Sequence, residues 1–193
     1  MFACNNSTQK SSETSSNVDS LAASDTVSGN GQQDDSSQFI KESLEGSAME
    51  VELGKLAQKQ AFSLRVKAFG AMMVKDHTAA GDELKQIASK KNIALTADME
   101  GDHMKDMDEF RNKTGVDFDK KYIKVMLSHH RKTIEMFEDQ AEDNKDPELR
   151  AFSEKSLPKL KMHLDSAKSI NKEVKASLDK NDISDAMERY PNH

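Results

Sequence analysis

The chain of 193 residues has no tryptophan, two tyrosines, three prolines and a single cysteine. So few aromatic and β-branched side chains argue against a sheet sandwich, whose strands need them to fill a pleated surface. One cysteine excludes an internal disulfide and a thiolate-rich metal cluster. No apolar run approaches the roughly 18 residues that a membrane-crossing helix needs. Neither G-x-G-x-x-G nor G-x-x-x-x-G-K-[ST] occurs, so no nucleotide site is read. A basic stripe is missing too. The formal net charge is -6, which favours solubility and disfavours a nucleic-acid groove.

What is present suits helices with a wet surface: 35% of residues are hydrophobic and 32% are charged. The first 37 residues stand apart, because NNSTQKSSETSSNVDSLAASDTVSGNGQQDDSS carries almost no apolar side chains. Such a segment cannot bury enough surface to offset its ordering entropy. Residues 1–37 are therefore expected to be a disordered tether. The cysteine falls at its start, in MFAC, with a small residue just before it. That is how a lipoprotein cleavage site ends, so the sequence is expected to begin inside a signal peptide, with Cys4 the lipidated residue. The expected location is then the periplasm or cell envelope, at the outer membrane through an N-terminal lipid anchor. A single acyl chain anchors only marginally, so firm attachment needs more than one.

From Phe39 onward, apolar residues recur at helical spacing. The pattern predicts long helices near 38–59, 62–90, 116–142 and 147–172, with a short one near 97–111. Phe62, Val66, Phe69, Met73, His77, Ala80, Leu84 and Ile87 make the second stripe, stepping by fours and threes. In the fourth, Pro147 suits a first helical position, whereas Pro158 inside it should kink the helix or break one hydrogen bond. Residues 173–193 are thin in apolar content and are expected to form a loosely held tail. The fold class predicted is all-α, one four-helix domain over 38–172, with an up-down bundle and short connections as the simplest solution.

Within the stripes, four polar residues are in phase with the core: Glu50, His77, His130 and His163, one per helix. His129 is one step round from His130, at the rim. Depth along a helix follows from its rise of about 1.5 Å per residue. Glu50, His77 and His130 lie near the middle of their helices and His163 somewhat past it, so antiparallel packing brings them to one level. Buried ionisable groups are costly unless paired or metal-bound. Three imidazoles and a carboxylate suit a divalent zinc, copper or iron ion. Glu52, Asp76, Glu135 and Glu138 lie near enough to hold the outer ring nitrogens. The bland reading is a satisfied polar network: His77 on a backbone carbonyl, Glu50 on a lysine. A dinuclear carboxylate centre fits poorly, because the residues three before the inward histidines are Val74, Leu127 and Leu160. The single Glu-x-x-His, Glu100–His103, has no matching partner. Met99, Met104 and Met107 invite copper, yet methionine is ordinary core filler.

MVKDH at 73–77, FDKKY at 118–122 with His130 following, and LPKLKMH at 157–163 carry a resemblance. With FIKESLEGSAMEVELGKLAQKQ ahead of them, they resemble the bacterial DUF4142 family in order over about 38–172. The resemblance implies a ferritin-like helical protein, often exported, of no settled activity. It implies recurrent polar positions at Glu50, Glu52, Asp76, His77, His130 and His163, and that Pro158 is built in. The function expected is an extracytoplasmic bundle binding a divalent metal in its core. Two alternatives stand beside it. One is a non-catalytic envelope protein with a buried polar network. The other is a metal-dependent enzyme, whose substrate nothing in the sequence names.

Overall fold

The computed structural model describes residues 28–95 and 107–189, and side chains within 35–95 and 107–177. Four helices dominate: α1 (Ser28–Gln60), α2 (Leu64–Lys90), α3 (Gly115–Asp143) and α4 (Pro147–Arg189). A helical turn over 107–110 precedes α3, and among the described residues there is no strand. The all-α expectation holds. Of the short helix expected near 97–111, residues 97–106 lie outside the described residues, as do Cys4, most of the tether and the Glu100–His103 pair.

The helices form two antiparallel hairpins, α1 with α2 and α3 with α4. Between the hairpins, α1 meets α3 and α2 meets α4. Contacts fix the directions. Ala61, just before α2, bridges Gly115 at the start of α3. Lys90 and Lys91, at the end of α2, pair with Glu148 and Asp146 at the start of α4. Phe39, early in α1, packs edge-on against Phe137, late in α3, with centroids 5.1 Å apart. So every packed neighbour is antiparallel, while α2 and α3 run the same way across the diagonal. Short joints occur within the hairpins, as expected. The third joint differs: Lys91 lies at one end of the bundle and Thr114 at the other, so the up-down order expected from the sequence breaks between α2 and α3.

The two hairpins are closed by different means. In the first, Gly54 and Gly70 let α1 and α2 come close. A Cβ built on Gly70 would fall 2.7 Å from the Ala57 Cβ and 2.8 Å from the Gly54 carbonyl oxygen. In the second, Asp146 stands ahead of Pro147 and accepts from the backbone N–H of Glu148 at 3.0 Å and Leu149 at 3.2 Å. That is a capped helix start with proline in its first position.

Three boundaries differ from the sequence expectation. Helix α1 begins at Ser28, inside the segment expected to be tether, and α4 runs on to Arg189 through the expected tail. Elongation from an anchored helix adds one hydrogen bond per residue fixed, so it needs no apolar stripe of its own. Phe62, placed on the second stripe, instead sits before α2 with 74% of its surface exposed. The helix starts two residues later because Asp119 of α3 takes the N–H groups of Phe62 and Ser63, at 3.1 and 2.8 Å. Pro158 lies on the exposed side of an unbroken α4, so the carbonyl it leaves free, on exposed Glu154, faces water.

Two hydrophobic cores result. One gathers Met49, Leu53, Phe69, Tyr122, Met126 and Ile170. The other gathers Phe39, Leu84, Ile134, Phe137, Phe152 and Leu160. On every helix, the predicted polar residue falls between the two.

Candidate metal centre

Each helix delivers one buried polar side chain to the gap between the cores: Glu50 from α1, His77 from α2, His130 from α3 and His163 from α4. None exposes more than 6% of its surface. The stripes position them, because each histidine shares its face with apolar neighbours three and four residues away. The ring centroids form a near-equilateral triangle of 5.7 Å (His77–His130), 5.5 Å (His77–His163) and 5.4 Å (His130–His163). One nitrogen from each ring belongs to a set lying within 4.8 Å of one another. Ligand nitrogens on a tetrahedral zinc stand roughly 3.3 Å apart, so about 1 Å of closure would bring them to an ion.

Hydrogen bonds at the outer edge of two rings decide what the inner edge offers. His130 Nδ1 lies 3.0 Å from the Met126 carbonyl oxygen and 3.3 Å from Glu50 Oε1. Both neighbours are acceptors, so Nδ1 carries the hydrogen and Nε2 is left with its lone pair. His163 Nε2 lies 2.9 Å from Asp76 Oδ2, which by the same logic leaves Nδ1 bare. Neither His130 Nε2 nor His163 Nδ1 has a hydrogen-bond partner. His77 Nε2 comes within 2.9 Å of Glu50 Oε2. The pair is close but misaligned for a hydrogen bond, so His77 Nε2 is also without a hydrogen-bond partner. Leaving buried nitrogens unsatisfied is expensive, and for His130 Nε2 and His163 Nδ1 no partner offsets the lost hydration.

Charge follows the same division. Burial works to raise the Glu50 pKa, but the imidazoles of His77 and His130 outweigh it and hold the carboxyl far below the usual range. Burial works to lower His77, and Glu50 reverses it, so His77 is raised. His130 is lowered by burial, with Glu50 opposing. His163 is lowered to about 4, chiefly by burial, with Asp76 opposing. Two rings are thus held neutral, which is the state a metal requires of imidazole.

The other expected residues divide. Asp76 is engaged as a carboxylate behind a histidine, though on His163 across the hairpin gap rather than on its neighbour His77. Lys159 steadies it at 2.9 Å, and together these hydrogen bonds hold Asp76 below its ordinary value against its burial. Glu52, Glu135 and Glu138 do not reach the layer. Glu52 turns outward to Lys55 at 2.5 Å, because two residues on from Glu50 is more than half a turn round. Glu138 pairs with Lys161 at 2.7 Å on the outside, and Glu135 is exposed. His129 is half-buried at the rim. Glu50, expected among the ligands, is held between His77 and His130.

Sequence reasoning missed the roles of three buried polar side chains. Asp119 is a buried cap. Tyr122 has a fully buried, unpartnered hydroxyl whose ionisation is pushed well up by burial and by Glu50. Ser43, 7% exposed, has an unpartnered hydroxyl about two turns along α1 from Glu50. Helical phase gave a signal for Tyr122, read only as core. Ser43 falls seven residues before Glu50, on the same face.

A family model described as a domain of unknown function, DUF4142, matches residues 20–170. Neither the comparison with curated proteins nor that with solved structures gave a match.

Proposed function

The chain belongs to the DUF4142 family, and from its histidine layer we propose that it binds a divalent transition metal through His77, His130 and His163. The observation that carries this reading is the pair of bare nitrogens, His130 Nε2 and His163 Nδ1, each fixed by a hydrogen bond on the opposite side of its ring. Such outer partners orient a ligating histidine and raise its basicity. Three neutral imidazoles suit zinc, copper or iron. Glu50 sits beside them as the compensating charge, and binding displaces the proton that it holds on His77. Two hairpins paired so that the second and third helices run the same way is also the arrangement of ferritin-like bundles, which build metal sites between facing helices. Three protein ligands leave a coordination position open.

As a separate part of the proposal, the small residue before Cys4 fits a lipid-attachment site that would hold the protein outside the cytoplasm. Labelled fatty acid should enter the wild-type protein and not Cys4→Ser. Untagged protein should carry about one equivalent of metal, and a chelator should lower its melting temperature. At a free ion concentration a thousand times Kd, the linkage is worth about 4 kcal/mol. His130→Ala and His163→Ala should each abolish the chelator effect. A purified chain with no bound metal, and no stabilisation by any of zinc, copper or iron, refutes the proposal and leaves the polar network.

A further inference from the structure

Beside the histidine layer, on the side of the Phe39–Phe137–Phe152 core, a cavity of about 290 Å³ reaches the surface. Its floor is Glu50, Asp76, His77 and His163; its walls include Leu84, Phe137, Phe152 and Leu160. Lys155 and Lys159 stand at its edge. The space equals about ten water volumes, and an apolar wall with a few convergent polar groups is the usual build of a small-molecule site.

Two observations separate it from an accidental gap. First, one wall is Gly46, in the interior of α1. A Cβ built there meets nothing within 4 Å, in contrast to Gly54 and Gly70, whose missing side chains let two helices touch. Glycine inside a helix is less stable than alanine, so this one is not explained by helix packing. Second, two of the residues that line the cavity, His163 and Ser43, carry buried polar atoms without a hydrogen-bond partner, Nδ1 on a side chain 1% exposed and Oγ on one 7% exposed.

We propose that the cavity receives a small carboxylic acid with an apolar body, its head group taking the open position on the metal held by the histidine layer. This rests on the metal reading above. Without the ion, the carboxylates of Glu42, Glu50, Asp76 and Glu83 outnumber Lys155, Lys159 and a protonated His77, and an anionic head finds no attraction. A divalent ion offsets that excess and offers an anionic head a direct bond. The body then lies among Leu84, Phe137 and Phe152, in the room that Gly46 leaves.

The full chain loaded with cobalt(II) tests this, because cobalt absorption changes with its ligands. Hexanoate should alter the spectrum saturably and bind at least tenfold tighter than acetate, since each buried methylene is worth about fourfold. Hexylamine should not compete. Gly46→Leu, and separately Ala80→Leu on the facing wall, should weaken hexanoate at least tenfold while leaving cobalt affinity and acetate binding unchanged. Circular dichroism melts will show that at least one variant is folded. Cobalt uptake with hexanoate no tighter than acetate overturns the ligand proposal and spares the metal reading. So does hexanoate binding unchanged in both filled variants. No cobalt uptake overturns both.

Discussion

Replacing Asp119 should be among the most damaging single changes outside the two cores, although Asp119 touches none of the histidines. Its carboxylate is 2% exposed and accepts two backbone N–H groups, from Phe62 at 3.1 Å and Ser63 at 2.8 Å. Ser63 precedes α2 but makes no side-chain cap of its own, so α3 supplies what the local sequence does not. A hydrogen bond to a charged acceptor contributes about 1.5–3 kcal/mol. Two of them would give about 3–6 kcal/mol. Against this stands the cost of burying the carboxylate, which shows as a raised pKa despite both bonds. The N–H of exposed Phe62 also regains water once the carboxylate is gone. Asp119→Ala is therefore expected to lose about 3 kcal/mol, a large share of the ordinary 5–15 kcal/mol of a domain. Asp119→Asn keeps one acceptor oxygen and should lose about half as much. Urea unfolding with chelator present measures this free of any metal contribution, and the slope should stay that of the parent. A loss below 1 kcal/mol for Asp119→Ala would refute the trans-cap reasoning, as would Asn falling outside the interval between Ala and Asp.

Asp76→Asn should weaken zinc binding by about 10–100-fold without removing a ligand, because it loosens the hold on His163; competition against a chromophoric chelator reads this, and unchanged affinity would deny Asp76 that role. Metal-free protein should lose stability as pH falls from 6.5 toward about 4. His163 has a folded pKa near 4 and His130 a lowered one, so the unfolded chain binds more protons in that window. His77, raised, adds nothing further to the slope below its unfolded value. Each depressed histidine steepens the fall by up to about 1.4 kcal/mol per pH unit; thermal melts across pH 7 to 4 should flatten in His163→Leu. Gly70→Ala should destabilise by about 1–2 kcal/mol, overpacking outweighing its better helix propensity, whereas Gly46→Ala should gain up to about 1 kcal/mol. Equal effects at the two glycines would contradict the close contact of α1 and α2.

The layer was legible because its two coordinates, phase and height, are arithmetic on the sequence. His77, His130 and His163 each sit in step with neighbours such as Met73, Ile134 and Leu160, at mid-helix. Which nitrogen faces inward was not legible, since it depends on Asp76 reaching across from α2 to α4 and on a carbonyl of α3. The shared direction of α2 and α3 was hidden as well. A periodic stripe tells which face is buried and nothing of which way the next helix runs. Phe62 misled because an apolar residue one turn ahead of Val66 extends the stripe on paper. A carboxylate 57 residues away stops the helix first.

The polar layer separating the two cores also bears on how the chain folds. Each hairpin forms from contacts near in sequence, but His77 and Glu50 sit on one and His130 and His163 on the other. Docking the halves must dehydrate four ionisable groups together, and it adds less helix-to-helix contact than each hairpin already holds. That step is where an ion can act as a clasp, and where mild acid should slow assembly most. Should the layer take up an ion as proposed, the two arms close around it, and acid works against that closure.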